Sequence, residues 1–176
     1  MGSVFVVMTG SLLGCFIMLG VAFITDIKSM KIPNAITVSG MVTGIAWHFI
    51  SGGWTGGLFA LKGAVAGFGL MLILYLLGAV GGGDVKLFGG IGAWIGTLLT
   101  LYVMMYSILV AGLIGIVVLI VRREVFSRMR GVLGQVLGAF ILQSWKPVVT
   151  GAKKQLQIPF MLAVLPGAIL AVYYFA

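Results

Sequence analysis

Long uncharged stretches dominate this sequence and constrain what the chain can fold into. A transmembrane helix requires about 20 consecutive apolar residues, and five stretches of that order or longer follow one another along the 176 residues. Only 8% of the residues are charged, whereas a soluble domain carries about 25%. The sequence therefore predicts an all-α fold, a polytopic helix bundle in a membrane. The five stretches are 2–25, 32–61, 63–83, 87–121 and 155–176.

Six transmembrane helices fit these stretches. The stretch 87–121 is too long for one helix and short for two full spans, so we divide it into a short helix and a full one. The first stretch lacks a basic n-region and a small-residue cleavage site, so it is predicted to be a retained helix rather than a cleaved signal. Glycines at helical spacing, such as Gly63 with Gly67 and Gly92 with Gly96, predict close helix packing. The predicted spans are 4–24, 35–50, 57–78, 85–96, 98–121 and 158–174.

The basic residues predict the orientation of the helices. Ten of the eleven Lys and Arg residues share one side of a six-span topology, and Lys62 is the exception. The positive-inside rule makes the basic side cytoplasmic and places both termini outside. Most of this charge lies in a predicted cytoplasmic loop at about 122–156, in which the 15 uncharged residues of 131–145 suit an interfacial or re-entrant segment. The whole chain, 1–176, is predicted to form a single membrane-embedded domain.

The residues that usually hold metals and cofactors are scarce. Cys15 is the only cysteine and His48 the only histidine, so the chain offers neither an internal disulfide nor a cluster of metal ligands. His48 is expected at the membrane interface, beside Trp47. The net charge of +8 is better explained by contact with anionic cytoplasmic lipid than by nucleic acid. We therefore predict no cofactor, no metal and no nucleic-acid partner.

Three acidic residues, Asp26, Asp84 and Glu124, stand out in so apolar a chain. Glu124 follows two arginines and is expected to be a solvated or locally paired charge. Asp26 and Asp84 lie at the cytoplasmic ends of predicted spans, where a carboxylate is costly and therefore a candidate for function. Two structural roles stay open. Each Asp could pair with a nearby lysine, such as Lys86 for Asp84, or Asp84 could cap a helix that begins at Val85.

A pair of carboxylates on one membrane face suits proteolysis. Two carboxylates a few ångströms apart share a proton, because both cannot be ionised cheaply. The ionised member takes a proton from water as the water attacks a peptide carbonyl, and the protonated member donates to the carbonyl oxygen. The glycines before Asp84 are expected to permit unusual dihedrals and the approach of an extended substrate. The alternatives are a small proton- or cation-coupled transporter or channel component, and a non-catalytic assembly subunit.

Several segments of the chain resemble the type IV prepilin peptidase family. The sequence GGGD at 81–84 matches the G-x-G-D signature of intramembrane aspartic proteases, and it continues as GGGDVKL. The sequence DIKSMKIPN at 26–34 resembles the family's other signature, an Asp followed by basic residues and Ile-Pro-Asn. The sequence IPFMLAVLPGA at 158–168 resembles the Pro-Phe segment of the family's last helix. The resemblance runs from about residue 10 to the C-terminus.

This resemblance implies cleavage of a short basic leader from prepilins, Flp pilins, pseudopilins or archaellins at the cytoplasmic face of a prokaryotic membrane. The substrate would have a hydrophobic helix, and the chain is similar to the short peptidases of Tad/Flp pili or preflagellins. Longer members carry an N-terminal four-cysteine region, so methyltransferase activity is not expected. The resemblance makes Asp26 and Asp84 the catalytic pair. Ile32, Pro33 and Asn34 would form the turn into the second helix. The resemblance implies supporting or substrate-binding roles for these three residues and for Gly81, Gly83 and Lys86. Lys86 would either orient the pair or anchor the helix in lipid.

Overall fold

The computed structural model describes residues 2–121 and 159–175, and within these ranges it contains four helices and no strand. Three of the helices are long and apolar enough to cross a membrane, and the fourth is shorter. The predicted all-α, polytopic membrane bundle is thereby confirmed. The predicted basic loop at 122–156, with its segment 131–145, lies outside the described residues. The helices are α1 (Gly2–Ser29), α2 (Asn34–Leu76), α3 (Gly82–Val121) and α4 (Met161–Phe175).

Two of these helices are interrupted at a glycine. Gly53 in α2 has φ 58° and ψ −144°, and Gly96 in α3 has φ 76° and ψ 179°. Both φ values lie in the region that only glycine adopts without strain. The breaks fall between the second and third predicted spans and between the fourth and fifth, and they divide the described helices into six segments. That each segment crosses the membrane stays a prediction.

At Gly53 the chain of α2 reverses direction. The rings of His48 and Phe59 lie 5.2 Å apart between centroids, whereas residues eleven apart on a straight helix are separated by about 16 Å along the axis. A Cβ on Gly57 would lie 2.7 Å from the ring of Phe49, which also requires the two halves to face each other. The reversal buries His48 among protein groups, while its expected position at the membrane interface stays a prediction. Its ring is 7% exposed, and Nε2 lies 2.8 Å from the carbonyl oxygen of Trp94.

The second half of α2 packs antiparallel against the first half of α3. A Cβ atom added to Gly63 would collide with the carbonyl group of Gly92, and a Cβ atom added to Gly92 would collide with the carbonyl group of Gly63. One turn further along α2, a Cβ on Gly67 would meet the carbonyl of Phe88. The two backbones are therefore in contact, as small residues at helical spacing allow in membrane helices.

α4 packs antiparallel on the second half of α3. Its last residue, Phe175, stacks on Tyr102 with ring centroids 3.9 Å apart, and Gly167 lies against Ser107. These contacts belong to a compact unit formed by Met1–Ala111 and Ile158–Ala176. A second unit, Gly112–Gln157, is described only over the end of α3. The single-domain organisation stays a prediction.

We predict that replacing Gly63 by alanine destabilises the protein because the added methyl group collides with the backbone of α3. Overpacking of this kind costs about 1–3 kcal/mol. The matched control is Gly69→Ala in the same half of α2, where a Cβ would meet no described atom within 4 Å. Thermal unfolding of the two purified variants in detergent checks this prediction. An equal melting temperature for the two variants would contradict it.

Candidate active site

Asp26 is a buried carboxylate held by the beginning of the last helix. α1 continues to Ser29, beyond the predicted end at residue 24, so Asp26 lies inside the helix rather than after it. Its side chain is 6% exposed, and Oδ2 accepts a hydrogen bond of 3.1 Å from the backbone N–H of Met161. Met161 is the first residue of α4, where free N–H groups and the helix dipole favour a negative charge. The bond joins residues 135 positions apart.

Asp84 lies in the first turn of α3 and is half-buried. Its Oδ2 accepts a hydrogen bond of 3.1 Å from the N–H of Gly81, and its own N–H donates to the carbonyl of Gly81 at 3.1 Å. The reciprocal pair resembles a capping box, in which the third helical residue reaches back to the residue before the helix. α3 begins at Gly82 and not at Val85, so the alternative of Asp84 as the N-cap residue is wrong.

The segments that carry the two carboxylates converge, since Ile32, six residues after Asp26, packs beside Gly83, the neighbour of Asp84. They come from different helices, Asp26 from the last turn of α1 and Asp84 from the first turn of α3. Lys86, the candidate salt-bridge partner of Asp84, donates instead to Oδ1 of Asn34 at 2.9 Å. Each carboxylate therefore accepts from a neutral backbone N–H, and the arrangement places two acids of like charge in one site.

The segment 30–33 brings the start of α2 to this site. Met30 adopts φ 52°, and its N–H donates to the carbonyl of Asp26 at 2.8 Å. Pro33 precedes α2 with an extended backbone, φ −61° and ψ 137°, which suits proline before a helix. Ile32 packs beside Gly83. A Cβ atom added to Gly83 would lie 3.5 Å from the Cβ of Ile32.

The structure brings the two sequence motifs together through Lys86. The bond from its ammonium group to Asn34 joins the first turn of α3 to the first residue of α2, across 52 positions of sequence. The glycines behave differently from the expectation. The unusual dihedral falls at Gly78, with φ 75°, and neither Gly81 nor Gly83 has a positive φ. Gly81 contributes instead the N–H that Asp84 accepts.

One group of the site was missed from the sequence, namely the N–H of Met161. A backbone donor has no side-chain signature, because every residue except proline carries one. The only available signal was the family-like segment around Pro159 and Phe160, which directly precedes α4. The role of α4 in holding Asp26 therefore needed the tertiary structure.

Comparison with known proteins assigns the chain to a family. The profile of the Type IV leader peptidase family matches residues 13–119, more than half of the chain. The chain belongs to the Type IV leader peptidase family. The prepilin leader peptidase/N-methyltransferase of Bacillus subtilis (strain 168) is 36% identical over 96 residues, which cover 52% of this chain and 38% of that relative. The chain thus matches well under half of the curated relative's length. No solved structure matches the chain.

The bond between Asp26 and Met161 generates a stability prediction. Asp26→Ala leaves the buried N–H of Met161 without an acceptor, which costs about 1–3 kcal/mol. Asp26→Asn retains a side-chain oxygen that accepts the same bond, so it should unfold at a higher temperature than Asp26→Ala. Thermal unfolding of both variants at matched detergent concentration checks the order. The reverse order would show that this bond does not hold α4 at the site.

Proposed function

We propose that the protein is a membrane-embedded aspartic endopeptidase that removes a short basic leader from prepilin-like precursors at the cytoplasmic face. The observation that carries the proposal is the convergence of the segments that hold Asp26 and Asp84 in a member of the Type IV leader peptidase family. Both belong to candidate membrane-spanning helices, and neither needs a metal to act on water. A carboxylate pair of this kind supplies both the base and the acid that peptide hydrolysis requires.

In the proposed mechanism the two carboxylates share one proton. The ionised carboxylate removes a proton from the attacking water as the water oxygen bonds to the scissile carbonyl carbon. The protonated carboxylate donates its proton to the carbonyl oxygen. The tetrahedral intermediate then collapses: the carboxylic acid formed in the first step protonates the leaving amine, and the other carboxylate takes back the proton that it gave to the carbonyl oxygen. Backbone N–H groups of Met161 and Gly81 orient the carboxylates, so the pair does not have to reorganise during the reaction.

The accessible side of the pair is that of Asp84. Asp84 is half-buried and Asp26 is buried, whereas Gly81 and Gly82 before the helix are exposed. A leader peptide would therefore approach along the start of α3, with its exposed backbone, while the hydrophobic helix of the precursor remains in the bilayer. Irregular backbone at such a place is compatible with a membrane protein when it lines a water-accessible site.

Processing of a co-expressed Flp-type prepilin tests the proposal. We expect the wild-type protein to shorten the prepilin on a gel, and Asp26→Asn and Asp84→Asn to lower the rate by about 100-fold or more, because each removes one proton-transfer group. Glu124→Gln is the matched control, since it neutralises the remaining acid of the chain. All variants are compared at equal membrane abundance. Full processing by either Asn variant would refute the two-carboxylate mechanism, and proton flux lost in both would favour a transporter.

The link between Lys86 and Asn34 generates a second prediction about activity. Lys86→Met and Asn34→Ala should each slow processing by about 10- to 100-fold, because they release the start of α3 from α2 and misplace Asp84. The double variant should be no slower than the slower single variant, since both remove the same contact. Initial rates with a purified prepilin in detergent measure the coupling. Multiplicative effects of the two substitutions would mean that the residues act independently.

A further inference from the structure

Lys62 is a cation that the proposed active site does not use. It lies in the second half of α2, within a candidate membrane-spanning helix, and its side chain is exposed. Its neighbour Gly63 contacts Gly92, which is about 12 Å along α3 from Asp84. The acids in the described ranges are Asp26 and Asp84, so no carboxylate of this part of the chain lies beside Lys62. Because the described ranges hold no carboxylate partner for this cation, an anionic group of the surrounding membrane is a candidate partner.

An apolar cavity opens beside this lysine. It has a volume of about 500 Å³ and is lined by Lys62, Phe59, Leu98, Tyr102 and Phe175, among others. A second cavity of about 540 Å³ shares Phe59, Ile95 and Leu99 with the first as walls. Both volumes fall within the range typical of small-molecule sites, about 300–1,000 Å³. Both cavities have walls from the residues near the glycine breaks, such as Phe59 after Gly53 and Leu99 after Gly96.

The aromatic residues at the end of α4 indicate the level in the membrane at which the mouth of the first cavity is expected. Phe175, at the end of α4, lines the cavity. The two residues before it, Tyr173 and Tyr174, are 80% and 64% exposed, and exposed tyrosines at a helix end are typical of the interfacial aromatic belt. α4 begins at Met161, whose N–H is bound to Asp26. It is 15 residues long, which corresponds to about 22 Å. The cavity therefore lies at the end of the bundle opposite the carboxylate pair.

We propose that this cavity binds an anionic phospholipid of the surrounding bilayer. The ammonium group of Lys62 pairs with the phosphate, and an acyl chain fills the apolar cavity between Phe59, Leu98 and Phe175. The lining consists of one cation and otherwise mainly apolar or aromatic side chains, which matches an amphiphile and not a soluble anion. The position at an interfacial level supplies such a molecule directly from the membrane. Bound there, the lipid would close the gap that the two glycine breaks leave in the bundle.

Native mass spectrometry of the detergent-purified full-length chain tests the proposal, with phosphatidylglycerol and phosphatidylcholine added separately. We expect the wild type to retain phosphatidylglycerol in preference to phosphatidylcholine. Lys62→Gln should weaken phosphatidylglycerol retention by about fivefold, the effect of one cation near an anionic lipid surface. Lys62→Arg, which keeps a positive charge at the cavity, is the matched control and should retain the lipid as the wild type does. Leu98→Trp, at an exposed position of the lining, should block the acyl chain and lower retention without disturbing the core.

Two further outcomes would overturn the proposal. Equal retention by the wild type and Lys62→Gln, or an equal loss in Lys62→Arg, would mean that the positive charge at position 62 does not hold a specific lipid. A photo-crosslinking amino acid at position 98, in membranes that contain a co-expressed prepilin, identifies the occupant directly. A crosslink to lipid supports the proposal, and a crosslink to the prepilin helix would make the cavity a substrate-docking site instead.

Discussion

Hydrocarbon cannot hydrogen-bond to backbone groups, and this constraint determines where irregular backbone occurs in the protein. Within the described ranges, nearly all residues are helical, and departures are confined to the segment 30–33, the turn at 77–81, residues 159–160 and the two glycine breaks. Helix beginnings are the places where backbone N–H groups are free. Asp84 lies in the first turn of α3, and Asp26 accepts a hydrogen bond from the first residue of α4, so both carboxylates meet a helix beginning, where a negative charge is least costly.

Both carboxylates are held by neutral donors. Asp26 accepts from Met161 and Asp84 accepts from Gly81, while Lys86 is engaged with Asn34. A lysine paired with either Asp would stabilise the ionised form and oppose proton exchange. Dipoles of the backbone orient a carboxylate without adding a full positive charge. Neutral donors are therefore compatible with the proton exchange that the proposed aspartic mechanism requires.

The two proposed sites lie at opposite ends of the bundle, and glycines shape the helices that connect them. Contact between Gly63 and Gly92 joins the second half of α2 to the first half of α3, and this pair of segments runs between the carboxylate end and the cavity end. At the cavity end the breaks at Gly53 and Gly96 reverse or redirect the chain and leave space. At the carboxylate end the antiparallel pair presents Asp84 beside Asp26. Helix packing through glycine therefore positions the candidate active site and the candidate lipid site together.

Sequence alone determined the class of fold and most of the candidate site. Uncharged stretches longer than a bilayer-spanning helix leave few alternatives to a helical membrane bundle, and Asp26 and Asp84 were identified because acids are so rare in this chain. The tertiary structure decided what depends on contacts between residues distant in sequence. It supplied the bond of Asp26 to Met161, the bond of Lys86 to Asn34, and the burial of His48 behind the reversal at Gly53. Local composition indicates which residues prefer lipid. It does not indicate which backbone donor or carbonyl the folded chain brings to within about 3 Å of a side chain.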